Sequence, residues 1–299
     1  MKIAFMGAGA VGCYFGALLA QAKHEVMLIG RPTHVDAVRK QGLLLEKQGT
    51  RSFIPMSAST EASAVSGADI VIVCVKSQDT ENAGREMGEH LAADCAILSF
   101  QNGVDNAERL QSQLGRTVTP SVVYVAAEMA GPGHVQHHGS GRLSIGPSPK
   151  SAEIAAAFTA AAIPTEISPH VIGALWEKLI LNCCYNALSA ITQQPYGQMA
   201  QSPGIWPVMQ DIVQECETIA RRLGVTIAGD VWAAVKNLPE IMPTQRSSTA
   251  QDLARGRSTE IDYLNGFIVR KGEELGISTP VNRALHRLVK LLEANREGR

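Results

Sequence analysis

An apolar run, Lys2-Ile-Ala-Phe-Met6, passes without a spacer into Gly7-Ala8-Gly9-Ala10-Val11-Gly12 and then into an alanine-rich segment with helical spacing. A strand that ends in G-x-G-x-x-G and opens straight into a helix presents backbone N–H groups and the positive end of the helix dipole to a diphosphate. In this reading Gly7 permits the tight turn, Gly9 lets the backbone approach the pyrophosphate and Gly12 allows close packing of the helix, with Ala8, Ala10 and Val11 completing the cradle. A second strand over 25–29 ends in Gly30-Arg31. An acidic residue there would accept from the adenosine ribose 2′-OH and favour NAD, whereas Arg31 offers a planar, permanent cation to a 2′-phosphate. The cofactor expected is NADP(H).

The chain has 299 residues, enough for two domains with cores of their own. Its formal net charge of −1 carries no electrostatic footprint for nucleic acid or an anionic membrane, so the expected partner is a small molecule. The six cysteines lie mostly inside apolar runs with no C-x-x-C spacing, as buried thiols of a reducing compartment do. No apolar run approaches the roughly 20 residues that span a bilayer, and a cytoplasmic protein is expected.

The first half alternates short apolar runs with helical patterns, the signature of a doubly wound parallel sheet. Strands are expected at 2–6, 25–29, 70–75 and 96–100, with helices at 10–22, 80–91 and 104–114. Two extended segments around Gln48-Gly49 predict an inserted hairpin between residues 42 and 54. The β-branched runs of 118–145, broken by glycine-rich turns, predict antiparallel strands added at the sheet edge. His134, His137 and His138 fall there, in a setting that suits strand and turn histidines better than metal ligands. A helix over 151–162, a strand over 164–167 and a hinge at Ser168-Pro169-His170 close an α/β domain of residues 1–168. Residues 169–299 are helical almost throughout, with helices expected at 171–192, 208–223, 230–236, 248–255, 260–275 and 282–297; their surfaces could support a homodimer.

Within 171–192, Lys178, Asn182 and Asn186 recur at i, i+4 and i+8, which places them on one helix face within about 80°. Such a stripe is ordinarily the solvent face of an amphipathic helix. Asparagine is a poor helix former, however, and two in register with a lysine suit a ligand rich in oxygen. Ser248-x-x-Gln251 fits a capping box, Thr259 could cap a helix starting near Glu260, and a serine-bearing helix N-terminus also suits a carboxylate.

These motifs together resemble the ketopantoate reductase family over essentially the whole chain. The resemblance rests on the glycine turn, Gln101-Asn102-Gly103, Trp176-Glu177-Lys178 with Asn182 and Asn186, Ser247-Ser248, and Thr259-Glu260-Ile261-Asp262-Tyr263 with Asn265-Gly266. It implies an NADP-binding Rossmann-like domain followed by an α-helical substrate domain, with the active site in the cleft between them, and reduction of 2-dehydropantoate to pantoate on the route to pantothenate and coenzyme A. By the same resemblance Lys178 is the catalytic lysine, Glu260 its acidic partner, and Asn102 an active-site amide near nicotinamide and substrate. Asn182, Asn186 and Ser248 match substrate-binding positions, while Arg31 and Lys76 match those that recognise the 2′-phosphate. The chain departs from the family pattern at Val125-Ala126-Ala127-Glu128-Met129, where many relatives carry a more polar segment.

The chemistry supports the same residues. Hydride delivery to a 2-keto acid creates an alkoxide, which needs a cation and a proton donor at the carbonyl oxygen. Lys178 can supply both, and Glu260 could either orient its ammonium or bind the substrate hydroxyl. Three alternatives stay open: a reductase of a related 2-keto acid, a 3-hydroxy acid dehydrogenase, and a non-catalytic dinucleotide sensor.

Overall fold

The computed structural model describes residues 1–297, which divide into two compact units, Met1–Val171 and the chain from Ile172 onward. The first unit runs β1 (Lys2–Met6), α1 (Ala10–Gln21), β2 (Glu25–Ile29), α2 (Pro32–Gln41), β3 (Leu43–Lys47), β4 (Thr50–Ile54), β5 (Ser57–Ser59), β6 (Ile70–Val73), α3 (Thr80–Gly88), β7 (Ala96–Ser99), α4 (Asn106–Leu114), β8 (Thr119–Gly131), β9 (His134–Ile145), α5 (Ser151–Ala160) and β10 (Thr165–Ile167). The second contains α6 (Val171–Thr192), α7 (Tyr196–Ala200), α8 (Ile205–Arg222), α9 (Val231–Ile241), α10 (Ser248–Ala254), a 3₁₀ turn at Ile261–Tyr263, α11 (Asn265–Leu275) and α12 (Pro280–Glu297).

One ten-stranded mixed sheet orders the first unit as β4-β3-β9-β8-β7-β6-β1-β2-β5, with β10 beside β9. The strands from β7 through to β5 are parallel, and β6, all four residues buried, has the unbroken apolar run of a strand covered on both faces. The chain leaves β1 for β2 on one side and reaches β6 on the other, so the strand order reverses at the C-terminal ends of β1 and β6. Doubly wound sheets bind ligands at such a point.

The inserted hairpin forms as β3–β4, with positive φ at both loop residues, Gln48 (51°) and Gly49 (75°), the backbone that a tight two-residue hairpin turn requires. It does not stand apart. β3 pairs with β9 in parallel, so β8 and β9 are interior strands and the sheet continues past them. α1 therefore touches β1, β2, β3, β8 and β9, and residues 12–19 are all buried. A helix covered on every side has no need of a polar face, which explains its uniformly apolar sequence.

Helix α2, the hydroxyl-rich strand β5 and the short helix α7 escape sequence reading, the last two being too brief for a periodic signal. The expected helix over 260–275 is interrupted: a 3₁₀ turn precedes Leu264, and α11 starts only at Asn265. Thr259 accordingly caps no α-helix; its hydroxyl accepts from Ile261 N at 3.2 Å and closes a local turn. The three histidines have separate partners. His134 meets Glu46 at 3.1 Å, His138 meets Glu128 at 3.0 Å, and His137 stacks on Tyr14 with ring centres 4.4 Å apart.

Candidate active site

The glycine turn is fixed by two close approaches and one open face. Gly7, at φ +123°, donates from its N–H to Ile29 O, and a Cβ there would sit 2.7 Å from the Cys74 backbone. A Cβ on Gly12 would lie 2.2 Å from Gly7 O, so glycine is needed for helix α1 to approach the turn that starts it. Gly9 differs: its φ of −83° is ordinary, and a Cβ would meet nothing within 4 Å. The space in front of Gly9 is open, beside the first turn of α1, where N–H groups lack intrahelical acceptors. That is the shape and polarity a diphosphate needs. Ala8 is buried and Ala10 and Val11 partly buried behind it. Gly30 has a role that sequence reading missed, since a Cβ there would come within 2.5 Å of Ala8 Cβ.

Arg31 is exposed just beyond β2, at the N-cap position of α2. Lys76 is partly exposed on the loop after β6, at the start of a 3₁₀ turn. Asn102, partly exposed, lies on the loop after β7. Its carbonyl accepts from Ser77 Oγ at 3.0 Å and from Asn106 Nδ2 at 2.6 Å. Asn106 is buried; its Oδ1 also accepts from Thr80 Oγ1 at 3.0 Å and Arg109 at 3.2 Å. Arg109 in turn grips Glu81 through two bonds of 2.7 and 2.6 Å, and this holds the Glu81 carboxyl below its ordinary pKa. The loops carrying Lys76 and Asn102 are thus tied together beneath the surface. Nothing in the sequence marks this clasp, because the bonds from Ser77 to Asn102 and to Arg109 join residues 25 and 32 positions apart.

In the second unit, α6 runs over the expected residues. Its polar stripe is not a solvent face: Asn186 is 3% exposed, and Lys178 and Asn182 are partly buried. The apolar side of the helix is anchored by Trp176 and Ile180, both buried. Trp176 packs edge-on against Phe267 of α11 with ring centres 5.8 Å apart. A Cβ on Gly173 would fall 2.3 Å from Thr226 O, so the first turn of α6 is also pressed against its neighbour.

The α10 cap is displaced by one residue from the expected capping box. Ser247, not Ser248, is the N-cap: its Oγ accepts from Ala250 N at 3.0 Å and donates to Asn186 O at 3.2 Å, while its N–H donates to Ser189 Oγ at 3.2 Å. Buried Ser247 thereby fastens the start of α10 to α6. Ser248 is left exposed on the first turn, with Asn186 Nδ2 donating to its hydroxyl at 3.4 Å. Two adjacent serines have the same capping chemistry, so the sequence cannot choose between them.

Glu260 acts on Lys178 through its charge. Burial lowers the Lys178 pKa from 10.5 to about 8, and the negative charge of Glu260 pulls it back upward. Glu260 is partly buried at the start of the 3₁₀ turn. The second unit thus brings together Lys178 with Glu260, and Asn186 with Ser248. Among the described residues, no group of three or more His, Cys, Asp or Glu side chains is placed to hold a metal ion, and no helix is long and apolar enough to cross a membrane.

Comparison with known proteins covers both units. The family model described as ketopantoate reductase PanE/ApbA matches residues 3–150, and its C-terminal counterpart matches residues 170–293. A 2-dehydropantoate 2-reductase of Halobacterium salinarum is 32% identical over 306 residues, covering 100% of both chains. The crystal structure of a PanE/ApbA family ketopantoate reductase from Ralstonia eutropha JMP134 is 55% identical, with a TM-score of 0.97 over 99% of this chain and 100% of that one. A ternary structure of D-mandelate dehydrogenase with NADH and anilino(oxo)acetate is 26% identical, with a TM-score of 0.93 over 99% and 100%. With the glycine turn, the α6 stripe and the Thr259–Gly266 segment all inside the matched regions, the chain belongs to the ketopantoate reductase family.

Proposed function

We propose that this chain reduces 2-dehydropantoate to pantoate with NADPH, as a cytoplasmic enzyme. The observation that carries the reading is a partly buried lysine, Lys178, whose pKa is lowered by burial to about 8 against the opposing pull of the Glu260 charge. A proton donor works best when its pKa lies near the operating pH. NADPH, when bound, supplies the hydride that adds to C2 of the keto acid. Lys178 Nζ donates a proton to the carbonyl oxygen as negative charge develops there, and regains one from solvent after release. Glu260 keeps Lys178 protonated at neutral pH. Asn182, Asn186 and Ser248 supply amide and hydroxyl groups for the substrate's oxygens.

On the cofactor side, Gly7, Gly9 and Gly12 shape the diphosphate cradle, Arg31 and Lys76 hold the 2′-phosphate, and Asn102 orients the nicotinamide. Free cysteines throughout the chain agree with a reducing compartment.

A second reading, a bulkier 2-keto acid, is favoured by the D-mandelate dehydrogenase likeness together with the small side chains of Val125, Ala126 and Ala127. Steady-state NADPH oxidation with ketopantoate, 2-ketoisovalerate and phenylglyoxylate, and NADP⁺ reduction with 3-hydroxyisobutyrate, separates the readings. The highest kcat/KM is expected for ketopantoate; a preference of about tenfold or more for phenylglyoxylate refutes that choice, at about 1.4 kcal/mol of discrimination.

A further inference from the structure

The inner face of α12 carries polar side chains at 282, 286, 290 and 293, spaced as one stripe of a helix. Three of them converge on the segment that carries Glu260. Glu293 Oε1 accepts from Thr259 N at 2.7 Å, one residue before Glu260. Two residues after it, Asp262 is held by His286 Nε2 at 2.6 Å and by Lys290 Nζ at 2.9 Å, while Arg270 of α11 donates to its backbone carbonyl at 2.6 Å. Lys290 also pairs with Glu293 at 2.7 Å, which closes the set. His286 is 8% exposed, so its bond to Asp262 is largely shielded, while the Lys290 and Asp262 side chains are 40% and 42% exposed.

The fourth member, Asn282, acts nearer the start of α12. It accepts from Asn265 Nδ2 at 2.9 Å, and the same Asn265 Nδ2 donates to Cys183 O of α6 at 3.1 Å; both asparagines are fully buried. Glu215 fixes Asn282 through its N–H at 3.0 Å and its side chain at 2.7 Å. Gly266 allows the close approach: a Cβ there would lie 2.9 Å from His286 Nε2.

Resting on the Lys178–Glu260 reading above, we propose that the α12 stripe is a positioning device, in which Glu293 and the His286–Lys290 pair clamp the backbone on both sides of Glu260 and so set the distance of its carboxylate from Lys178. These residues act through Glu260 rather than on the substrate, and Asn265 with Asn282 steadies the α6 side of the same pair. The titratable groups facing Asp262 are His286 and Lys290 from α12 and Arg270 from α11, and Lys290 also faces Glu293. The charge of Glu293 and its hold on the backbone are separable by substitution.

The full-length protein serves for that test in three variants, Glu293→Leu, Glu293→Gln and Glu260→Gln, each read by amide exchange at Thr259 and by the pH dependence of kcat. Glu293→Leu removes the acceptor for Thr259 N. Its Thr259 amide should exchange faster, its kcat should fall about tenfold or more, and its alkaline kcat midpoint should move to lower pH, as in Glu260→Gln. Glu293→Gln loses the charge but keeps an acceptor, and should retain most of the turnover with a midpoint near wild type. Wild-type exchange at Thr259 in Glu293→Leu overturns the clamp. So does an unmoved midpoint in Glu293→Leu when Glu260→Gln has shifted its own, or an equal shift in Glu293→Gln. An unmoved midpoint in Glu260→Gln refutes the Lys178–Glu260 pairing itself, and the clamp's purpose with it.

Discussion

Lys178 is held in a state that costs stability. In the unfolded chain its pKa is near 10.5 and in the folded protein about 8, so between those values the unfolded state binds more protons and stability rises with pH. Below about pH 8 the whole penalty is present, at most about 3 kcal/mol. Lys178→Met should therefore raise stability at neutral pH by up to that amount while lowering kcat by about 10²- to 10⁴-fold. Melting curves at about pH 7 and about pH 10 check this: the gain should shrink at the higher pH, where folded Lys178 is neutral and little of the penalty is left. In the wild type, kcat should decline as pH rises through about 8. Lys178, Asn182 and Asn186 are legible in the sequence because helix periodicity alone puts them on one face. Ser247, Asn106 and Glu293 are not, since each acts through a partner far along the chain or through a choice between equivalent neighbours.

At the scale of elements, the strand–turn–helix unit separates fold from function residue by residue. Gly12→Ala would place a methyl group 2.2 Å from Gly7 O and force α1 away from its turn. Gly9→Ala meets nothing in the protein. The expected outcome is that Gly12→Ala loses about 1–3 kcal/mol of stability, whereas Gly9→Ala melts like wild type and weakens NADPH binding, as fluorescence titration would show. The elements with strong period-2 or period-3.6 patterns are readable, α6 above all. The interruption before α11 is not, because Asp262 and Asn265 serve tertiary hydrogen bonds in place of helix propensity.

For the molecule as a whole, the doubly wound core and the helical second unit follow from pattern, and the family follows from motifs spread over both. What pattern does not supply is the path of the sheet beyond β8, since register between distant strands is set by packing. Its wrapping of α1 bears on ionic strength. The dipole of a helix enclosed by protein acts through a medium that salt enters poorly, whereas Arg31 is exposed, and a 2′-phosphate held there as proposed would be screened over a Debye length of about 8 Å at physiological salt. Diphosphate affinity should thus persist as salt is raised while the 2′-phosphate contribution fades. Measured from about 0.02 to about 0.5 M NaCl, the preference for NADPH over NADH should narrow; a constant ratio would mean that Arg31 is not the source of the discrimination.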